Sequence, residues 1–421
     1  MHLSHATHSP SGNELASQSL RAGVGRSEKS ASRDAGIEAA TKAALDGQIS
    51  RPALALIFCT GKHDPTMFRD GVREVVGAHC KIVGGFAVGI ITREAASYDG
   101  YEVGVALIEG TGFEFDTFTE SGLPGAEGAV GELLGQRLAA AEAADDSSIL
   151  LFYDTVHHVD GQPRLNMATP LLQGIARSLA TQPRLAGMGM LGDMQLQPTW
   201  QFCDDAVLQQ SATALLFRRG ISMDTTVMHG CRPAGRYHEI TKADGPVVLE
   251  IDGQPALQMI QEMLGADSGL TPEDYAFFVT LGVNKGDPFA EYREENYANR
   301  MCIGVDAARN GLIMFENDLT AGTKVQLMRR SMDFSYLKPR TTELFARAAS
   351  AGRKPLFAFY IDCAGRAAAY CGLDAEEADE VRAAIPPGVP LLGVYSGVEI
   401  APIQGKPQAL DWTGVLCLFS A

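Results

Sequence analysis

The chain has 421 residues, 46% apolar and 20% charged, and carries a formal charge of −16. That length allows two or three domains and a core that needs neither disulfides nor metal. The acid excess argues against nucleic-acid and anionic-membrane binders, which need a basic surface, and no run reaches the roughly 18 apolar residues of a membrane-spanning helix.

The lead-in MHLSHATHSPSGNELASQSL lacks the basic and apolar blocks of a signal peptide, and residues 1–30 read as a disordered tail. Its histidines, His2, His5 and His8, are set aside as metal ligands for the same reason. A helix is predicted over 34–48, where apolar residues recur at helical spacing between Asp34 and Gly47. Three stretches then share one grammar. The first holds ALALIFCTGKHD (53–64), KIVGGFAVGII (81–91) and YEVGVALIEG (101–110). The second, preceded by an alanine-rich helix at 125–146, holds SSILLFYDTVHH (147–158), RLAGMGMLGDM (184–194) and a strand ending near Gly220. The third holds PLFAFYIDCAGR (355–366), PLLGVYSGVEI (390–400) and WTGVLCLFS (412–420). Each is an apolar strand ending in a polar loop, then a helix, a small-residue segment with spaced glycines that superficially resembles Gly-x-x-x-Gly, and a further strand. Neighbouring copies of such a unit bury one another's apolar faces.

Residues 221–345 break this pattern. A strand, an Asp252-Gly253 turn and a helix ending at Gly265 precede alternating apolar and polar runs that predict a β-meander. A helix at 341–352 leads into the third copy. The expected fold is therefore mixed α+β and α/β: two lobes of repeated helix-strand-helix-strand units, over 31–220 and 221–421, with the meander inserted in the second. The eight cysteines form no CxxC pair, and Cys59, Cys302 and Cys417 fall in apolar runs, which fits a reducing compartment and a cytoplasmic location.

Candidate chemistry collects in the loops. Asp362, Cys363 and Arg366 follow a buried-looking strand, at the edge where α/β sheets bind ligands. Arg366 has the fork geometry to clamp a carboxylate, and Glu399, with Tyr395 and Ser396 beside it, is placed to take an amine. Cys363 is the one nucleophile candidate, giving an enzyme as the alternative reading. The second unit offers Asp154, His157 and His158, its adjacent histidines facing opposite sides of a strand. The first offers His63 and Asp64. Arg300, after Asn296 and Tyr297, is a candidate for the cleft between lobes. His229, Cys231 and His238 match no zinc pattern, and no metal or cofactor is expected from the residues themselves.

In the order and spacing of LALIFCTGKHD, KIVGGFAVGII, HGCRPAG (229–235), EIDGQPAL (250–257), VQLMRR (325–330), IDCAGR (361–366) and VPLLGVYSGVEIAP (389–402), the chain resembles the FIST proteins. The resemblance implies paired N-terminal and C-terminal sensory domains that bind a small molecule, with an amino acid or a derivative as ligand, beside a signalling kinase, cyclase or chemoreceptor. No such segment is visible in the chain, so a sensor here is expected to report to a separate protein. Some relatives are haem proteins that sense nitric oxide, which puts forward His229, His238, His157 and His158 as axial ligands.

Overall fold

The computed structural model describes residues 19–265, 268–276, 278–331 and 333–421. His2, His5 and His8 lie outside the described residues.

Three six-stranded sheets share one strand order. The first runs Arg21–Ser27, Val103–Glu109, Leu54–Cys59, Lys81–Phe86, Gln201–Cys203, Ala206–Leu208. The second runs Glu114–Ser121, Ser211–Arg219, Ser148–Asp154, Arg184–Met190, Val398–Ile403, Lys406–Leu410. The third runs Ser222–Met228, Gly414–Ser420, Pro355–Cys363, Leu391–Ser396, Gly89–Thr92, Ala96–Tyr98. In each, the two central strands are parallel and the rest antiparallel. The last two strands of every sheet are a hairpin supplied by another part of the chain. Residues 201–208 complete the first sheet, residues 398–410 the second and residues 89–98 the third, so the exchange forms a closed cycle.

The central strands are apolar on both faces because both are covered. Their inner faces meet in one common core, where Phe58 lies against Phe152 and Phe359 with ring centroids 5.7 and 5.5 Å apart, one ring from each sheet. Their outer faces pack on separate helix layers: Ser32–Asp46 and Pro65–Val76 over the first sheet, Glu127–Ala140 and Ala168–Ser178 over the second, Leu337–Ser350 and Glu377–Ala384 over the third. The first glycine of each of the three glycine segments has a packing reason. A Cβ on Gly84, Gly187 or Gly393 would collide with the carbonyl oxygen of Ile57, Leu151 or Tyr360 on the paired strand.

Two expectations change. The segment 19–30 does not belong to a disordered tail, because Arg21–Ser27 is a strand registered along Val103–Glu109. Its sequence, RAGVGRS, hides this: Gly23 and Gly25 are the contact points for the helix Ser32–Asp46, so the usual apolar side chains are missing. Between Met228 and Leu337 the inserted strands do not run as a simple meander. His238–Asp244, Val247–Ile251, Gly311–Met314, Tyr297–Asp306, Thr280–Asn284 and Lys324–Arg330 pair in that order, and Lys324–Arg330 pairs back onto His238–Asp244. Closing the ring leaves the short strand Cys231–Pro233 as an edge on Lys324–Arg330 and encloses a core that includes Ile240, Ile251, Leu281, Leu312 and Val325.

Candidate functional site

The strand Pro355–Cys363 delivers Asp362, Cys363 and Arg366 to its C-terminal end, all buried. Arg366 is fully committed inside the protein. Its Nε donates to Glu377 Oε1 at 2.8 Å, Nη1 to the carbonyls of Trp412 and His229 at 3.0 and 3.2 Å, and Nη2 to Glu377 and to Tyr336 Oη at 3.1 Å. Asp362 lies 3.2 Å from Nε. No donor is left for a ligand carboxylate, so the clamp expected from the sequence is instead an internal tie between the helix Glu377–Ala384, the strand end and the connector at His229. Burial pushes the carboxyls of Asp362 and Glu377 up, opposed by Arg366.

Glu399 does not meet Arg366 in a hydrogen bond. It accepts from Ser396 Oγ at 2.7 Å and from the Thr413 backbone N–H at 3.3 Å, and burial drives its carboxyl well above the usual range. Tyr395 is buried with its ring edge-on to Tyr98, at 5.3 Å between centroids. Burial also raises the Cys363 thiol, with Glu399 adding to the effect, which suppresses the thiolate that a nucleophile needs.

The second unit's Asp154 is a structural hub. Its Oδ1 accepts from Thr199 Oγ1 at 2.6 Å, and its Oδ2 accepts from Gln201 Nε2 at 2.9 Å and the Ser211 N–H at 3.0 Å. Thr199 and Gln201 lie on the segment that carries the hairpin into the first sheet, so the buried carboxylate fixes that crossing. His157 and His158 lie in the ribbon Val156–Val159 and Gln162–Leu165, opposite Arg164 and Pro163, with His157 half-buried and His158 exposed. In the first unit His63 bridges Ser32 Oγ and the Tyr101 carbonyl, each at 3.1 Å, while Asp64 caps the helix Pro65–Val76 by accepting from the Met67 N–H at 2.7 Å.

Of the four histidines put forward as haem ligands, His229 does not fit that role. His229 uses both ring nitrogens: Nδ1 accepts from the Cys231 N–H at 3.0 Å, and Nε2 donates to the Glu294 carbonyl at 3.0 Å. His238 lies 2.9 Å from Asp252 on the inserted sheet, and no group of His, Cys, Asp and Glu suited to a metal occurs among the described residues.

Arg300 is the sequence candidate that lies behind a cleft, which its partner Asp318 lines. The side chain is fully buried on the inserted strand Tyr297–Asp306. Its Nε and Nη2 donate to the two oxygens of Asp318, both at 2.6 Å, and Nη1 donates to the Ala409 carbonyl at 2.9 Å. Next to this pair opens a groove of about 600 Å³. One wall is the helix Ala168–Ser178 with its following loop, presenting Leu172, Gln173, Ala176 and Leu179. Residues 405–409 of the hairpin form the second, and Lys285 and Asp318 of the insertion form the third. Glu316 secures the junction, accepting from the Ala168 and Thr169 N–H groups, both at 3.0 Å, at the positive end of that helix. Burial would raise Asp318, but Arg300 prevails and holds it below the usual carboxylate range. Burial lowers the Lys285 amine. Asp318 is neutralised by Arg300, so Lys285 and Lys406 leave the groove with a positive bias in an acidic protein. Its size and position between structural units are those of small-molecule sites. Sequence reading missed Lys285, Glu316 and Asp318. The alternation of acids in Phe315-Glu316-Asn317-Asp318-Leu319, between apolar neighbours, was the one available signal.

The fold and groove define a mixed α/β protein with a small-molecule-sized cleft between units, and sequence comparison gives it a class. The FIST N domain model matches residues 53–254 and the FIST C domain model residues 256–402. The chain belongs to the FIST family, whose domains are small-ligand sensory domains of signalling proteins. Among similar proteins, an uncharacterized protein of Mycobacterium bovis is 28% identical over 196 residues, 46% of this chain and 49% of that protein. An uncharacterized protein of Mycobacterium tuberculosis is 25% identical over 198 residues, 46% of this chain and 50% of the other. The match thus spans about half the length of these curated relatives. Among the described residues, no helix is long and apolar enough to cross a membrane.

Proposed function

We propose that this protein is a cytoplasmic sensory module that binds a small metabolite in the groove between the helix Ala168–Ser178, the hairpin residues 405–409 and the inserted sheet. The observation that carries this reading is the groove itself: about 600 Å³, apolar along its helical wall, with Lys285 beside the neutralised Arg300–Asp318 pair. An amino acid or related metabolite suits these walls. Its carboxylate pairs with Lys285, and its side chain lies on Leu172 and Ala176. The domain reading is two lobes that meet near residue 220, over 31–220 with the strand Arg21–Ser27 added to it and over 221–421, built from three copies of one unit; the shared strand order supports it. A ligand touching all three walls would bias how the copies sit together, and a separate kinase or cyclase would read that bias.

The test is a thermal-shift screen against amino acids and small carboxylates, with the wild type, Lys285→Ala and Ala176→Trp in parallel. A ligand at a hundredfold excess over its Kd stabilises by about 2.7 kcal/mol, enough to raise the melting temperature by several degrees. The expected result is a shift for one ligand that falls in Lys285→Ala and disappears in Ala176→Trp. A shift that persists in Ala176→Trp, or no shift across the screen, would overturn the groove as the site.

A further inference from the structure

Arg232 and Arg329 are directly opposed across the antiparallel pair formed by Cys231–Pro233 and Lys324–Arg330. Like charges opposed in this way repel, and neither guanidinium forms an ion pair with a carboxylate among the described residues. Together with Arg330 and Ser331 they line a pocket of about 280 Å³. Two of the three guanidinium groups are held against aromatic rings. Arg232 sits 5.5 Å from the Tyr292 ring centroid, and Arg330 lies over the Trp412 ring, 3.3 Å from its centroid. Tyr292 is itself anchored to the Cys231 carbonyl through its hydroxyl at 2.5 Å. Such stacking fixes the planes of the forks and reduces the entropy lost when they close on a ligand. Three clustered guanidiniums in a chain of net charge −16 are a local reversal of sign.

We infer that this pocket is an oxyanion site for a phosphate group, either free or as a compact phosphomonoester. Arg232 and Arg329 close on it from the two strands, and Arg330 supplies the floor. Guanidinium forks match the tetrahedral oxygens in pairs, and an anion between the strands turns the Arg232–Arg329 repulsion into two attractions. The pocket is lined by residues other than those of the ligand groove, so it would be a second, independent point of control.

Trp412 reports on it directly, because Arg330 covers its ring and Trp200 is the one other tryptophan in the chain. The full chain is titrated with inorganic phosphate, then with phosphoserine, against sodium chloride at matched ionic strength, following tryptophan emission. The expected result is a saturable change, absent in Trp412→Phe, whose Kd rises at least tenfold in Arg232→Gln and in Arg329→Gln. Both arginines are exposed, so circular dichroism and melting in chloride confirm that the variants are folded. Tighter binding of phosphoserine than of phosphate would identify an esterified ligand, and the reverse a free one. A change that follows ionic strength alone, or a Kd unaltered in the Arg232→Gln/Arg329→Gln double variant, would overturn the site.

Discussion

Arg300 and Asp318 are joined by a two-pronged contact, Nε and Nη2 each 2.6 Å from a carboxylate oxygen, with the arginine fully buried. The remaining edge of the guanidinium reaches the Ala409 carbonyl, so one residue ties the inserted sheet to the hairpin that completes the second sheet. Breaking a buried pair from one side is more costly than the pair is worth, because a charge is left without its partner. Arg300→Met should therefore destabilise the protein by about 3–5 kcal/mol in urea unfolding. A loss below about 1 kcal/mol would show that water reaches the pair and that the groove wall does not depend on it.

Asp154 gives a pH signature of defined sign. Burial pushes its carboxyl up to about 6 from 3.8, against the three hydrogen bonds it accepts. The folded state then holds the proton more tightly than the unfolded one. The stabilisation is complete below pH 3.8 and is lost as pH rises through 6. The difference of roughly two pH units corresponds to about 3 kcal/mol. In Asp154→Asn, which keeps the shape and one acceptor, stability relative to wild type should improve by up to that amount between pH 4 and pH 8. Parallel stability curves for the two proteins would contradict this.

Gly187 and Gly235 form a matched contrast. A Cβ on Gly187 meets the Leu151 carbonyl of the paired central strand, whereas nothing lies within 4 Å of one on Gly235. Gly187→Ala should cost about 1–3 kcal/mol through overpacking, and Gly235→Ala should stay within about 0.5 kcal/mol. Equal effects would mean that the strand spacing relaxes to admit a methyl group.

The cysteines should sort by burial under a thiol-alkylating reagent. Cys203 and Cys371 are partly accessible, while Cys363 and Cys231 are buried, with the Cys231 thiol pushed up to about 12. Mass spectrometry of the native protein should find label on Cys203 first and none on Cys363. Rapid modification of Cys363 would revive the reading of this chain as an enzyme.

The regular elements were legible wherever one rule dominated. The helix after Asp34, the Asp252-Gly253 turn and the helix stopping at Gly265 follow from spacing and turn chemistry, and all three occur, the first helix as Ser32–Asp46. The strand Arg21–Ser27 escaped because its buried contacts are made by glycines rather than apolar side chains. The destination of the hairpins was not readable either: a sequence such as VEIAPIQGKPQAL specifies a hairpin but not the sheet it joins. Site residues divided in the same way. Arg366 and Glu399 looked like free ligand groups because their partners, Glu377, Tyr336 and Thr413, carry no motif. Lys285 and Asp318 meet at the groove only through long-range packing, whereas Arg300 was found because it follows polar residues at the start of an apolar strand.

The cyclic exchange of hairpins also constrains the order in which the protein can mature during synthesis. The first sheet is complete once residues 201–208 have left the ribosome, but the second waits for residues 398–410, which begin 179 positions after the end of its own last strand at Arg219 (398 − 219). Until then the strand Arg184–Met190 presents an unpaired edge, the kind of surface on which nascent chains associate wrongly. A chain stopped anywhere between the two halves would carry that exposed edge permanently. The C-terminal hairpin is thus a late quality check on an N-terminal half whose own hairpin, residues 89–98, likewise waits for the third sheet.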